Sequence, residues 1–150
     1  MQTVHSFHII GISVRTTNEN AQSAKDIGAL WQRFMTDEIG NKIPSKTDDA
    51  IICVYTDYES DYTAPYTTIL GCKVENLDNI PEGMIGKTIE TGDYKEYTAI
   101  GNAQEGAVYN EWVKIWNSDL NRAYTADFEV YGAESVDPIA GKVPIFIAVN

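Results

Sequence analysis

Apolar residues follow two patterns along this chain, runs rich in β-branched side chains and recurrences at steps of three and four. From Phe7 to Thr17 apolar and β-branched side chains (Ile9, Ile10, Ile12, Val14, Thr16, Thr17) dominate and predict a strand, which Asn18, Asn20 and Ser23 punctuate. From Ala24 the spacing changes to three and four. Ile27, Leu30, Trp31, Phe34, Met35 and Ile39 then share one helical face, and Gly40 stands where a helix would stop. A polar loop with Pro44 and Asp48-Asp49 leads into the run Ile51-Ile52-Cys53-Val54-Tyr55, read as a strand. Asp57 to Pro65 reads as a loop or hairpin tip, and Tyr66 to Val74 as the next strand. Asp78, Pro81 and Gly83 break the pattern at the midpoint.

The second half repeats the order. Strand-like residues run from Ile85 to Ile100 with an interruption at Gly92, and Val108, Trp112, Ile115 and Trp116 then share a helical face. Two further strands are expected at about Asp127 to Gly132 and Val143 to Val149, with Asp137-Pro138 and Gly141 as turn residues between them. Gly28 to Phe34 echoes Gly106 to Trp112, each reading Gly, Ala, aliphatic, aromatic, polar, polar, aromatic. The expectation is an α+β fold of duplicated strand-helix-strand-strand modules, pseudo-repeats of about 1–80 and 81–150 in a single domain. Two main helices would pack on a mainly antiparallel sheet with a ligand groove at its centre.

A chain of 150 residues has the length of one domain with one core. Its formal net charge of -11 would repel a phosphate backbone, so direct nucleic-acid binding is not expected. No apolar run approaches the length of a membrane span and the N-terminus lacks a signal pattern, so no membrane partner and a cytoplasmic location are expected. Cys53 and Cys72 read as buried free thiols, with a hairpin-spanning disulfide as the alternative.

Motifs for serine hydrolysis, phosphate binding, zinc proteases and paired-cysteine metal sites are absent. His5 and His8 would point to opposite faces of a strand and have no third ligand at suggestive spacing, so no metal and no cofactor are expected. Aromatic content changes the picture. Trp31, Trp112, Trp116 and Phe34 lie at core spacing, but Tyr55, Tyr58, Tyr62 and Tyr66 gather around one loop, and Tyr94, Tyr97, Tyr124 and Tyr131 fall near other strand ends. There an amphipathic ring can line a pocket and keep its hydroxyl bonded. In Asp127-Phe128-Glu129-Val130-Tyr131, alternation puts Glu129 and Tyr131 on one strand face. That face is either solvated or lines a pocket; in a pocket, Glu129 is a desolvated charge among rings, suited to a cation.

Three stretches, Val54 to Tyr62, Ile89 to Tyr97 and Asp127 to Tyr131, resemble the GyrI-like effector-binding superfamily, which includes ligand domains of multidrug-responsive transcription regulators. The resemblance spans nearly the whole chain. It implies two modules about a pseudo-two-fold axis, a small-molecule ligand between them that is a lipophilic cation, and Glu129 as the pocket carboxylate. It extends the ligand-binding set to Tyr131, Trp112, Tyr55, Tyr58, Tyr94 and Tyr97. Regulators of this type carry a basic helix-turn-helix before the ligand domain, whereas here a strand is expected within ten residues of Met1, so a protein partner in transcription regulation is a further expectation. Two other functions fit the same residues: hydrolysis of strained-ring electrophiles, with Glu129 as base, or an acidic protein-interaction module using Asp57, Glu59 and Asp61.

Overall fold

The structure is a computed structural model that describes residues 2–101, 106–132 and 141–150. The long strands are β2 (Phe7–Thr16), β3 (Ile51–Thr56), β4 (Tyr66–Val74), β6 (Gly92–Ile100), β7 (Ala126–Tyr131) and β8 (Lys142–Ala148), with short strands β1 (Gln2–Val4) and β5 (Ile85–Ile89). The helices are α1 (Gln22–Thr36), the single turn α2 (Ile39–Lys42) and α3 (Ala107–Trp116). Each predicted element is present with shifted ends, and β1, α2 and a 3-10 turn at Glu19–Ala21 are additions. The expected turn at Asp137-Pro138 lies outside the described residues.

All eight strands form one sheet in the order β1-β6-β8-β7-β3-β4-β2-β5, and every pairing is antiparallel. The order reads as two modules meeting at the β3–β7 pair. Each module's short first strand crosses to the other module: β1 pairs with β6 and β5 with β2. Yet only two residues join β1 to β2, and two join β5 to β6. Since a residue spans at most about 3.6 Å, the margins of the sheet must curl towards each other. Where the two short links pass, the Ser6 amide donates to Thr91 Oγ1 at 2.9 Å.

The curl divides the core. One face carries Ile9, Ile52, Val54, Ile69, Ile89, Tyr94 and Phe128, with the Phe128 ring stacked on Phe146 at 4.8 Å and edge-on to Phe7 and Tyr94. Strand alternation sends their neighbours to the other face. There Ile10, Ile12, Cys53, Leu70 and Cys72 pack beneath α1, while Ala99, Ile145 and Ile147 pack beneath α3. Both cysteines are buried free thiols, as expected.

Helix α1 ends earlier than its periodicity predicts. The amide of Asp37 donates to the Arg33 carbonyl at 2.9 Å, and Glu38 adopts a left-handed conformation with φ 51°. Two carboxylates at this end also oppose the helix dipole. The chain therefore turns, and Ile39 enters the core from α2 while Met35 is left 61% exposed. Gly40 lies inside α2 and stops nothing. Similarly, Gly92 opens β6, and the interruption falls just before it.

The curl demands close backbone approach at Gly11 and Gly71, which face each other across β2 and β4. A Cβ on Gly71 would lie 2.1 Å from the Ile10 carbonyl oxygen and 2.8 Å from Gly11 Cα. Gly71→Ala should therefore destabilise the fold by about 1–3 kcal/mol or more, as overpacking does. Gly28→Ala, with nothing within 4 Å of its new methyl, should stabilise α1 by up to about 1 kcal/mol. Urea denaturation of both variants tests this, and equal stabilities would refute the steric account.

Candidate functional site

Between α1 and α3, over the β3–β7 pair, lies a cavity of about 530 Å³, within the size range of small-molecule sites. One wall is α1. Leu30 and Phe34 face the sheet, while the adjoining sector, Ala24, Ile27 and Trp31, faces the cavity. The opposite wall is α3, with Val108, Trp112 and Trp116. The third is the segment after β3, with Tyr58, Tyr62 and Tyr66. Asn18 ties this segment to the end of β2: its Nδ2 donates to the Tyr62 carbonyl at 2.8 Å, and its Oδ1 accepts from Tyr66 Oη at 2.6 Å. Tyr62 in turn stacks on Trp116 at 5.8 Å, joining the loop to α3.

Glu129 of β7 lies on the cavity floor and is 1% exposed. Its carboxylate accepts three hydrogen bonds: from Tyr131 Oη at 2.7 Å, from Trp112 Nε1 at 2.5 Å and from Tyr55 Oη at 3.0 Å. The donors come from β7, α3 and β3. Burial pushes the Glu129 carboxyl above its ordinary value of 4.5, and the three donors oppose that rise. Opposite Glu129 in register stands Cys53, whose thiol burial and then the neighbouring carboxylate push well up, so it stays protonated.

Two residues earlier on the same strand face is a second buried acid, Asp127, with no exposed surface. It accepts from Arg122 Nη2 at 2.7 Å, Tyr58 Oη at 2.5 Å and the Ala148 amide at 2.8 Å. Burial pushes its carboxyl up, while the guanidinium and these donors counter it. Arg122 also lines the cavity, with its Cζ 5.7 Å from the Trp112 ring centre.

The cavity thus brings together Glu129, Tyr131, Trp112, Tyr55 and Tyr58 of the expected set. Tyr94 and Tyr97 stand elsewhere. Tyr94 faces into the curl against Phe128, on the opposite side of the sheet, and Tyr97 flanks the α3 core beneath the Lys95 ammonium. Trp31 and Trp116, expected to pack on the sheet, sit at the margin of the core beneath their helices and also line the cavity. No group of three or more metal-ligating side chains occurs among the described residues, and no helix among them is long and apolar enough to cross a membrane.

A family model described as an integron-associated effector binding protein, Cass2, matches residues 1–149. The chain belongs to this effector-binding family. A candidate transcriptional regulator of Bacillus subtilis (strain 168), YobU, is 27% identical over 144 residues, which are 93% of this chain and 90% of that protein. An integron cassette protein from the mobile metagenome of Vibrio cholerae has the same fold, with 29% identity and a TM-score of 0.78 over 99% of this chain and 94% of its own. SAV2435, solved bound to tetraphenylphosphonium, has 17% identity and a TM-score of 0.82 over 99% and 92% of the two chains, and shares the fold.

Within this effector-binding fold, sequence reasoning passed over Arg122 and Asp127. Asp127 had a signal, since the alternation that pairs Glu129 with Tyr131 puts Asp127 on that face too. Arg122 had none, because a lone arginine in a loop says nothing of burial.

The raised Glu129 carboxyl has a consequence for stability. Above pH 4.5 the unfolded chain releases this proton while the folded protein still holds it, so stability falls as pH rises towards the raised value. Urea denaturation between pH 4.5 and 7 should show a steeper loss for the wild type than for Glu129→Gln; parallel profiles would contradict a desolvated carboxylate.

Proposed function

We propose that this protein holds lipophilic cationic, drug-like compounds in the cavity between α1 and α3, with Glu129 reading the charge and Trp112, Tyr55, Tyr58 and Tyr131 supplying the rings. The observation that carries this is a carboxylate 1% exposed on the floor of a ring-walled cavity. A buried charge is expensive unless something compensates it. Hydrogen bonds from Tyr55, Trp112 and Tyr131 hold its geometry, but all three donors are neutral groups, so the negative charge is unbalanced until a cation enters. The rings add a cation–π contribution of about 0.5–2 kcal/mol. Tetraphenylphosphonium, the ligand of SAV2435, is an apolar cation of the class such a cavity would take.

The same bonding pattern argues against Glu129 as a general base. Its two oxygens already accept three hydrogen bonds from fixed ring donors, which leaves about one of a carboxylate's four acceptor positions for an attacking water. Binding is therefore the reading put forward, with a role in transcription regulation following from the relationship to YobU.

Tetraphenylphosphonium should bind with micromolar affinity. Glu129→Gln should weaken it about ten- to a hundredfold while weakening tetraphenylmethane-like neutral compounds, made soluble by a neutral glycol chain, far less. Glu59→Gln, on the exposed loop, should leave both unchanged, because a screened surface charge contributes little. Wild-type affinity for the cation should also rise with pH as Glu129 ionises, and the Gln variant should be flat. Calorimetry over this matrix tests the reading; equal losses for cation and neutral compound would overturn it.

A further inference from the structure

Cation binding by Glu129 leaves a second charged group in the cavity wall unexplained. The Arg122 side chain is 4% exposed and spends Nη2 on Asp127, but its Nε and Nη1 are buried with no hydrogen-bond partner among the described residues. Rings cover the guanidinium: its Cζ lies 4.4 Å from the Tyr124 ring centre, 5.7 Å from Trp112 and 5.9 Å from Tyr58. Ring faces hold the charge by cation–π attraction but are weak acceptors for N–H groups. A buried donor left unpaired forfeits the hydration it would have in the unfolded chain, so an incoming acceptor gains more there than at the surface.

Trp112 relates the two charged groups. Its Nε1 donates to Glu129, and its ring faces the Arg122 guanidinium. The carboxylate meets the edge of this indole and the guanidinium lies over its face, so one ring stands between the two charged groups in the same cavity wall. We propose that the cavity takes lipophilic cations that also carry a neutral carbonyl oxygen about one aromatic ring away from the charge. The cation would sit at Glu129, and the carbonyl would accept from Nε or Nη1 of Arg122. Arg122 belongs to the cavity wall, and Tyr58 and Trp112, two of the rings around its guanidinium, line the same cavity.

A neutral acceptor suits this site better than an anionic one. With both acids ionised, Glu129, Asp127 and Arg122 together carry one net negative charge, which a simple cation neutralises. A ligand carboxylate would restore the excess charge beside two buried acids, in a medium where charges are weakly screened.

This inference rests on Glu129 reading the charge, and the test separates the two ideas. Three xanthylium dyes with the same permanently cationic core are compared by fluorescence polarisation: one with a plain pendant phenyl ring, one with a tertiary carboxamide on that ring, and one with a free carboxylate. The wild type should bind the carboxamide dye about tenfold tighter than the plain dye, as for a hydrogen bond to a charged group, and the carboxylate dye no tighter than the plain one. In Arg122→Lys, which keeps a cation beside Asp127 but removes Nε and the planar fork, the ratio of carboxamide to plain affinity should fall to within about twofold of one. If that variant does not fold, Arg122→Met combined with Asp127→Asn removes the buried pair together and should give the same ratio. Plain-dye binding with no carboxamide preference in the wild type overturns this inference and leaves the cation reading standing, as does tightest binding of the carboxylate dye. Failure of every dye to bind in a Glu129-dependent way overturns both.

Discussion

Glu129 is a carboxylate removed from water and held by hydrogen bonds that neutralise none of its charge. An isolated carboxylate at such a position would be expected to take up a proton or to move to the surface. Here the donors reach it from three separate elements, Tyr55 on β3, Trp112 on α3 and Tyr131 on β7. The hydrogen-bonded carboxylate therefore also fixes where α3 sits on the sheet. The indole of Trp112 packs edge-on to Tyr55, and the ring of Tyr131 packs edge-on to Trp31 of α1. Moving either helix would expose or unpair the acid, and that couples cavity shape to the state of one side chain.

The curl of the sheet makes this arrangement affordable. Its inner face is filled by Phe128, Phe146, Tyr94 and the aliphatic residues around them, so one part of the apolar core is packed on the side of the sheet away from the cavity. Its outer face can then leave space between two helices. The cost is backbone crowding where the sheet bends, and Gly11 opposite Gly71 answers it. The two acids of β7 divide the work on the outer face: Asp127 is tied to Arg122 and the backbone, while Glu129 is given only neutral donors.

Much of this was legible in the chain because periodicity reports local geometry. Runs of apolar and β-branched residues predicted the strands, and alternation within the last of them but one put Glu129 beside Tyr131, whose hydroxyl does bond it. Steps of three and four predicted α1 and α3. The mainly antiparallel sheet was expected from the repeated strand-helix-strand-strand order, whose two apolar helix faces need a common sheet, and the family resemblance directed attention to the acid in Asp127 to Tyr131.

What the chain could not decide was which apolar surface faces space and which faces core. A cavity wall and a core wall ask for the same side chains, so the helical stripe through Trp31, Phe34, Trp112 and Trp116 read as one face when the fold splits it into two adjoining sectors. Tyr94 and Tyr55 both lie in strands, yet one is turned into the curl and the other under the cavity, because strand pairing across the molecule sets which face each row adopts. The burial of Arg122 is likewise a tertiary fact. It depends on Asp127 of β7, Trp112 of α3 and Tyr58 of the loop after β3 converging on one loop residue, and such convergence leaves no period in the sequence.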